Sequence, residues 1–421
     1  MPEDGTPSRV TYAEIFGVRE FRALFTSRVL STIGDYVARA ALVIAVFADT
    51  GSEALMGITF ALTTLPDLIG GPVLAGLADR FPRRAVMVAA DLGRAFLLLV
   101  MAIPGLPLAA LWALLFVIRL LDSPFSSSYL STMSVVLPGK RLVKGSAVTQ
   151  LVNHVSYTVG YAFGGVIVSL TGLSVVLVFN AATFVLSGLA ILLGVRARPA
   201  TASADSSPSW FGSFRTATRY IAAHPRLRAI MLFTLPIAAC LVCETLAAPY
   251  AAQIGHGTAV AGLLMAAGPA GIVIGLWLLP LLIPDQRTPH VVVLSAISCA
   301  PLVLFVAVPG VVVATVLIVV SGMALYFWIP LAAEFTQTVP DDMRGQAVGL
   351  LTTTMRVTQG LAILIFGLTA ENAMSSTVFA ASGAIGTVMV IVLSVAWARA
   401  SRPAAIAGAP RNVPPHGDAA Q

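Results

Sequence analysis

The sequence predicts an all-α integral membrane protein whose twelve transmembrane helices form two pseudo-symmetric bundles of six helices each. Three observations predict this fold class. The 421 residues are 57% hydrophobic and only 10% charged, the apolar residues fall into twelve long runs, and the connections between those runs alternate between neutral and basic. A soluble domain carries roughly 25% charged residues, so lipid must cover much of this surface.

The apolar runs have the length of membrane-spanning helices, which need about 17–25 mostly apolar residues. In the first half of the chain they occupy 22–48, 55–78, 85–104, 108–136, 146–170 and 173–194. After a polar break they occupy 228–252, 258–283, 289–308, 311–336, 346–369 and 376–398. The runs therefore define an N-terminal six-helix bundle at 21–194 and a C-terminal six-helix bundle at 228–400.

The connections between the runs divide into two classes by charge. Six of them contain no Lys or Arg: 49–55, 103–107, 171–173, 253–259, 308–310 and 371–376. The alternate connections, and both ends of the chain, all contain Lys or Arg. Because basic connections remain in the cytoplasm, we expect a multi-pass protein of the cell (inner) membrane with both termini cytoplasmic.

The polar break at 195–227 is predicted to be a cytoplasmic linker. Its first part is rich in Pro, Ser and Ala, as flexible linkers are, and its second part places Trp210 and Phe214 near one helical face, which predicts an interfacial helix. Residues 1–20 lack the features of a signal peptide and form a cytoplasmic N-terminal segment. Residues 401–421, without an apolar run, are expected to be a disordered cytoplasmic tail.

An internal repeat relates the two predicted bundles. The segment GSAVTQLVNHVSYTVG at 145–160 resembles GQAVGLLTTTMRVTQG at 345–360, at a constant offset of 200 residues. The two segments are the fifth and the eleventh helix, the same place in each half, and they have the same orientation. Two such halves leave a cleft at mid-membrane, and rocking about it gives alternating access.

A charged turn connects the second and third predicted helices. It reads AGLADRFPRR at 75–84 and resembles the signature G-x-L-A-D-R-x-G-R-R of the major facilitator superfamily. The charged residues that match are Asp79, Arg80, Arg83 and Arg84. Ala75 and Pro82 depart from the two usual glycines, which predicts a stiffer turn. The helix count, the charge alternation and the central linker extend the resemblance over nearly the whole chain.

The acid of this turn is a candidate conformational latch. A carboxylate can accept bonds from the free N–H groups at a helix N-terminus, where the macrodipole is positive. The eleventh helix, predicted to start near Gly345 on the inner side, offers such a partner for Asp79, and the resemblance implies that this acid holds the inner side closed. Arg80, Arg83 and Arg84 would add ion pairs; alternatively, they only fix the topology.

The fifth helix carries a glycine pattern that the resemblance associates with exporters. The pattern G-P-x-x-G-G reads here as Gly160, Gly164 and Gly165 with Tyr161 in place of the proline. Glycines let helices approach each other closely. We therefore expect a helix-packing motif, without the kink that a proline introduces.

Several ionisable residues lie inside the predicted spans, where each costs about 2.5–3.5 kcal/mol and is a functional candidate. Three pairs are spaced to share a helix face: Asp35 with Arg39, Asp91 with Arg94, and Arg119 with Asp122. Each pair is a candidate ion pair on its own helix. For Asp91 and Arg94 we expect a structural ion pair without a functional role. The proton-coupling candidates are Asp35, Asp122, Glu244 and Arg119.

Three cysteines, Cys240, Cys243 and Cys299, all lie in apolar runs. The spacing of the first two resembles a redox pair, but a lipid-embedded helix offers no redox context. We expect them to be small packing residues.

The leading functional hypothesis is a secondary transporter, since the chain has no phosphate-binding loop for ATP. The segments FRALFTSRVLSTIGDYVARAAL, AADLGRAFLL and FNAATFVLSG resemble the macrolide-efflux and enterobactin-exporter branch of the superfamily. That resemblance implies proton-coupled efflux of a drug-like compound or a secreted metabolite. The substrate-cleft candidates are Phe125, Tyr129, Tyr157, Phe327, Trp328 and Arg356.

Two alternatives remain open at the level of sequence: an uptake symporter for a small solute, and a non-transporting membrane sensor. An intramembrane hydrolase is disfavoured, because it would need a cluster of His, Asp or Cys at ligand or triad spacing and the spans contain few histidines. We expect no cofactor, the proton gradient as energy source, and a monomer whose partners are a small-molecule substrate and membrane lipids. The net charge of +6 does not indicate nucleic acid, because the arginines are spread over many connections.

Overall fold

The computed structural model describes residues 11–66, 69–70, 81–198, 210–283, 288–340 and 343–400. Over these ranges the chain forms helices joined by short turns. The helices of the first half are α1 (Arg19–Thr50), α2 (Glu53–Leu62), α3 (Arg83–Met101), α4 (Leu108–Val136), α5 (Lys140–Thr171) and α6 (Leu173–Gly194). Those of the second half are α7 (Pro225–Thr245, continued by Ala247–Gln253), α8 (Thr258–Leu282), α9 (His290–Ala307), α10 (Val311–Thr338), α11 (Arg344–Ala370) and α12 (Ser375–Ala400).

Among the described residues, ten helices are long and apolar enough to cross a membrane. The two others are α2, of which the structure describes a shorter apolar part, and α3, which is 19 residues long and carries four charged side chains. Each of the twelve predicted spans is matched by a helix at the predicted place. The predicted all-α membrane fold is therefore confirmed.

The helix bundle has two chemically different ends. We call the end that carries Arg84 and Arg141 the basic end, and the end that carries Gly51 and Gly172 the neutral end. At the neutral end the turns are tight, and Gly51 and Gly172 adopt φ values of 65° and 81°. These left-handed conformations strain other residues, so glycine lets α1 and α5 stop and reverse within a residue or two.

The fifth helix packs against the first through the predicted glycine motif. A methyl group added to Gly160 would lie 2.5 Å from Tyr36 Cβ, and one added to Gly164 would lie 2.7 Å from the carbonyl oxygen of Val37. Neither position has room for a side chain. The glycines therefore bring the backbones of α5 and α1 together, as small residues do in membrane helices.

The same device holds the second half together. Gly271 and Gly275 of α8 face the backbone of α10, and a methyl group on Gly275 would lie 2.5 Å from the carbonyl oxygen of Met323. At Gly271 a methyl group would overlap the carbonyl oxygen of Val319. Close backbone contact between α8 and α10 is thus built into the sequence.

The two halves meet closely toward the neutral end. Gly165 of α5 faces Gly262 of α8, with 2.7 Å between a methyl group built on Gly165 and Gly262 Cα. Gly57 of α2 faces Gly367 of α11, and a methyl group built on Gly57 would lie 2.8 Å from Gly367 Cα. Gly165, the third glycine of the predicted motif, therefore packs across the two bundles instead of within one.

A helix at Trp210–Ala223 lies in the segment predicted to be the linker. Ala217 and Ile221 are buried on one face, whereas Arg215 and Arg219 are exposed on another. The buried face packs on the second bundle, where Ile221 shares a cluster with Leu227 and Phe335, and the place of this helix at the membrane interface stays a prediction. The side chains of Trp210 and Phe214 lie outside the described residues, as do 199–209 and the tail from 401 onward.

The three cysteines are buried, and none of them forms a disulfide bond. Cys240 Sγ lies 3.8 Å from Cys299 Sγ, and Cys240 also donates to the carbonyl oxygen of Ser298 at 3.3 Å. Cys243, predicted to resemble a redox partner of Cys240, is a separate buried thiol on α7. The thiols fill space between α7 and α9, in accord with the packing role expected from the sequence.

Candidate functional site

A buried ion network lies inside the first bundle. Arg94 of α3 is 1% exposed and its guanidinium contacts Asp91 Oδ1 at 2.5 Å and Asp122 Oδ1 at 2.9 Å. Its Cζ lies 4.7 Å from the ring centroid of Phe125 and 4.2 Å from that of Phe184. One cation is thus shared by two carboxylates and two aromatic rings, an arrangement that ties α3, α4 and α6 together.

The spacing-based pairings are wrong for two of the three predicted pairs. Asp35 of α1 contacts Arg119 of α4 at 3.5 Å instead of Arg39 on its own helix, and Asp122 contacts Arg94 instead of Arg119. Arg39 donates to the carbonyl oxygen of Thr63 at 3.0 Å. In a packed bundle the facing helix presents a closer partner than the next turn, so cross-helix pairs form.

A small cavity adjoins the Asp35–Arg119 pair. It has a volume of about 30 Å³, and its polar lining comes from Asp35, Arg39, Arg119, Asn180 and Thr63. The cavity extends between the outer parts of α3, α4 and α6 toward the neutral end. It is large enough for one or two water molecules with several polar partners.

The acid of α7, Glu244, forms a direct polar contact between the two halves. Tyr157 of α5 donates its hydroxyl to Glu244 Oε2 in a short hydrogen bond. Glu244 is 8% exposed and lies among the residues that the halves bury against each other. Of the four proton-coupling candidates, this is the carboxylate whose hydrogen bond crosses the bundle interface.

Three tyrosines surround this carboxylate on the side of the first bundle. The rings of Tyr36 and Tyr157 are stacked with centroids 4.3 Å apart, and Tyr161 meets Tyr157 edge-to-face at 4.6 Å. Arg39 lies above Tyr36, with 5.3 Å from its Cζ to the ring centroid. Tyr161, which replaces the proline of the glycine pattern, is fully buried, and no hydrogen bond satisfies its hydroxyl among the described contacts.

A second polar contact joins the halves at the neutral end. Glu371, which follows α11, accepts hydrogen bonds from Ser52 Oγ and from the backbone N–H of Ala54, both at 2.9 Å. Ser52 and Ala54 stand at the N-terminus of α2, where unpaired N–H groups attract a negative charge. Glu371 therefore caps a helix of the opposite bundle and fastens the neutral end.

These bonds also set the protonation of the Glu371 carboxyl. The bond from Ala54, followed by the bond from Ser52, holds the pKa of Glu371 below its ordinary value. A lowered pKa means that the charged form is the one stabilised. The contact is therefore complete at neutral pH and is lost only as the pH falls through that lowered value.

The predicted latch at the basic end falls partly on residues that the structure does not describe. Asp79 and Arg80 lie outside the described ranges. Arg83 donates to the carbonyl oxygen of Ser131 at 3.2 Å, and Arg84 donates to that of Leu192. These two arginines thus anchor the start of α3 to α4 and α6 in their own bundle, and the latch role of the turn stays a prediction.

The predicted substrate-cleft residues do not share one environment. Phe125 and Phe327 are fully buried inside their own bundles in this structure, and their place in a substrate cleft stays a prediction. Tyr129 is 5% exposed and Trp328 is partly buried. Tyr157 lies between the halves, and Arg356 is exposed on α11. An aromatic residue next to a buried arginine packs on that cation, which explains Phe125.

Sequence reasoning missed Tyr36 and Glu371. Tyr36 follows Asp35 and lies one turn from Arg39, so its position beside two ionisable residues was a usable signal. Glu371 was visible as the acid of a connection without basic residues, directly opposite the serine that begins α2. Neither contact can be derived without knowing which helices face each other.

Comparison with known proteins identifies the relatives of this architecture. Residues 24–362 match the sequence profile of the Major Facilitator Superfamily. The chain is similar to the uncharacterized MFS-type transporter YfiS of Bacillus subtilis (strain 168), at 29% identity over 171 residues. It is also similar to macrolide efflux protein A of Streptococcus pyogenes, at 24% identity over 179 residues. The first match spans 39% of the chain and 40% of that relative, and the second 41% and 44%.

Solved structures share the architecture over nearly the full length. A mutant of the nucleoside transporter NupG superposes with a TM-score of 0.73 at 14% identity, covering 91% of this chain and 100% of that chain. An inward-facing, unoccupied bacterial homolog of the human lysosomal transporter Spinster gives 0.70 at 15% identity, covering 91% and 96%. At these identities the likeness concerns the fold alone.

Proposed function

The chain belongs to the Major Facilitator Superfamily, and from this premise we propose that it exports a drug-like compound or a secreted metabolite in exchange for protons. It is a transporter and not an enzyme. Partial similarity to macrolide efflux protein A supports the export direction. The basic end is assigned to the cytoplasm in this proposal, because basic connections remain inside.

The observation that carries the proposal is the hydrogen bond from Tyr157 to Glu244. A charged carboxylate inside the membrane is costly, and this one is held by a donor from the opposite half. Protonation of Glu244 removes the charge that Tyr157 binds and so weakens a contact between the bundles. Proton binding is thereby linked to the movement of the halves, which is the requirement for coupled transport.

The halves are held together at the neutral end, and this bears on the side from which substrate enters. The glycine contacts and Glu371 hold the halves together at the neutral end, where α2 meets α11 and α5 meets α8. We propose that this is the form that receives substrate from the basic, cytoplasmic end. Protons from the other side would reach Asp35 through the cavity that extends toward the neutral end.

Transport into inverted membrane vesicles tests the function directly. A macrolide, added with an imposed pH gradient, should accumulate inside vesicles that contain the chain and not inside empty ones. The accumulation should collapse when a protonophore dissipates the gradient. Uptake in right-side-out vesicles, with none in inverted ones, would instead identify a symporter.

Removing the Glu371 carboxylate is expected to open the neutral end. In a chain whose cysteines are replaced by serine, a single cysteine at Ala61 reports this, because Ala61 is 1% exposed between the halves. Glu371→Ala should raise its labelling by a water-soluble maleimide several-fold at pH 7. The wild-type contact should weaken only in acid, because its bonds lower the pKa of Glu371.

The Glu371 contact that holds the neutral end closed is called the gate here. Its matched control is Glu53→Gln, which neutralises the neighbouring acid at the start of α2. Its labelling should stay near the wild-type level. Asp79→Asn, at the predicted latch of the basic end, should move labelling of Ala61→Cys in the opposite direction. Equal labelling of the Glu371→Ala and Glu53→Gln variants would remove the assignment of Glu371 as a gate.

A further inference from the structure

At the basic end, four helices of the first bundle enclose a groove that no step of transport uses. It lies between the starts of α1 and α3 and the ends of α4 and α6, and its volume is about 600 Å³. Its polar lining consists of Arg19, Glu20, Arg84, Arg196 and Arg198. We call this the basic groove.

The basic groove contains more positive charge than its one acid can balance. Glu20 Oε2 contacts Arg198 Nη2 at 2.6 Å, and Glu20 Oε1 contacts Arg196 Nε at 3.4 Å. The Arg196 side chain nevertheless remains 87% exposed, and Arg19 is exposed as well. Among the described residues of the lining, four guanidinium groups thus face one carboxylate, which is an excess of three positive charges.

An apolar wall of exposed side chains borders the same groove. Leu192 and Leu193 at the end of α6 are 43% and 75% exposed, and Val135 at the end of α4 is 51% exposed. These side chains stand directly beside Arg196 in the lining. The groove therefore presents a cationic rim and a hydrophobic wall to the same ligand.

We propose that the basic groove binds an acidic phospholipid of the adjoining leaflet. Guanidinium groups match phosphate oxygens in bidentate geometry, and basic recesses between membrane helices on the cytoplasmic side hold anionic headgroups. The headgroup phosphate lies against Arg19 and Arg196, and an acyl chain lies along Leu193 and Val135. A free phosphate ion would satisfy the arginines but leave the apolar wall unused.

The experiment uses the full-length chain in detergent and a fluorescent phosphatidylglycerol, with phosphatidylcholine of the same chain length as the neutral lipid. The double variant Arg19→Gln/Arg196→Gln should bind phosphatidylglycerol about fivefold more weakly for each arginine removed. Its binding of phosphatidylcholine should change little. Leu193→Ser should weaken phosphatidylglycerol binding without changing any charge.

Matched controls distinguish a built site from general attraction. Arg215→Gln/Arg219→Gln removes two exposed arginines from the helix at Trp210–Ala223 and should bind phosphatidylglycerol like the wild type. Equal losses in the two double variants would mean diffuse electrostatics and would overturn the proposal. Displacement of the lipid by millimolar inorganic phosphate, with no effect of Leu193→Ser, would overturn it in favour of a free anion.

A folding check removes the remaining ambiguity. Each variant is first compared with the wild type by size-exclusion elution and by its unfolding midpoint in the absence of added lipid. If Arg19→Gln/Arg196→Gln elutes as folded protein and binds phosphatidylglycerol as tightly as the wild type, the basic groove is not the lipid-binding site. Since the assay measures lipid binding alone, its outcome does not depend on the proposed export activity.

Discussion

Glu244→Gln is expected to abolish transport driven by a pH gradient, with a loss of at least about 100-fold in proton-driven accumulation, while substrate exchange at equal pH continues. A positioned proton-transfer group in an enzyme typically contributes a factor of 10²–10⁴, and we take the lower end of that range for a transporter that loses its proton carrier. Glutamine has nearly the same shape and still accepts a hydrogen bond from Tyr157, but it carries no charge, so the bundle contact stays in the weakened form that protonation of Glu244 produces. What it loses is the ability to take up a proton.

Two further variants separate protonation from contact. Tyr157→Phe removes the donor from the other half and leaves the carboxyl able to titrate, so it should shift the pH dependence of transport without abolishing proton coupling. Glu334→Gln is the control acid: it lies near the end of α10, pairs with Arg226 at 2.5 Å and is 27% exposed. Its neutralisation should leave the coupling ratio unchanged.

The measurement is substrate accumulation in reconstituted vesicles together with proton flux from a lumenal pH dye. Wild-type proton flux in Glu244→Gln, with normal accumulation, would exclude this residue as the proton carrier and leave Asp35 as the next candidate. Failure of both accumulation and exchange would indicate damage to the substrate path instead, and Tyr157→Phe would then fail in the same way.

The helices were predictable because length and polarity alone set them. The run predicted at 22–48 is the helix Arg19–Thr50, and the run at 346–369 is Arg344–Ala370. The structure extends each of these helices by one to three residues at either end, since a helix continues through the interface after its apolar core ends. Hydropathy locates the membrane-embedded part of a helix but does not predict how far the helix continues beyond it.

The sequence predicted that the glycine motif packs closely against another helix, but it did not identify every helix that the motif contacts. Its spacing indicates a flat helix face, and Gly160 and Gly164 do meet another backbone. Gly165 points in a different direction and packs on α8 of the other half. Consecutive helical residues lie about 100° apart, so one motif can serve two neighbours, and the sequence does not say which ones.

Partner choice among buried charges is where the sequence was insufficient. Spacing puts Asp35 and Arg39 on one face of α1, yet Asp35 pairs with Arg119 and Arg39 bonds the chain after α2. An arginine side chain reaches several ångströms, so a facing helix competes with the next turn. The outcome depends on how the helices are rotated, which packing decides.

Arg94→Met is expected to destabilise the folded protein by about 3–5 kcal/mol, because breaking a buried ion pair leaves uncompensated charge. Here the damage falls on Asp91 and Asp122 together, since both contact this one guanidinium. Asp91 is 0% exposed, and one of its oxygens accepts from Ser187 at 2.6 Å, so it cannot turn to water. Two aromatic rings also lose their cation.

The measurement is the unfolding midpoint and yield of the variant in detergent, and the matched control is Arg226→Met. That arginine pairs with Glu334 at the same 2.5 Å, but its side chain is 49% exposed. An exposed pair contributes about 0–1 kcal/mol, so the two variants share chemistry and distance and differ in burial. Equal midpoints would show that Arg94 does not hold the bundle together.

A triple variant tests the cause of the instability. If stranded carboxylates are responsible, Asp91→Asn and Asp122→Asn added to Arg94→Met should restore much of the lost stability, because neutral amides cost less to bury than charges. Recovery of folding without proton-driven transport would then assign the network of Asp91, Arg94 and Asp122 a part in coupling. Recovery of both would make the whole network a scaffold, with coupling carried at the interface between the halves.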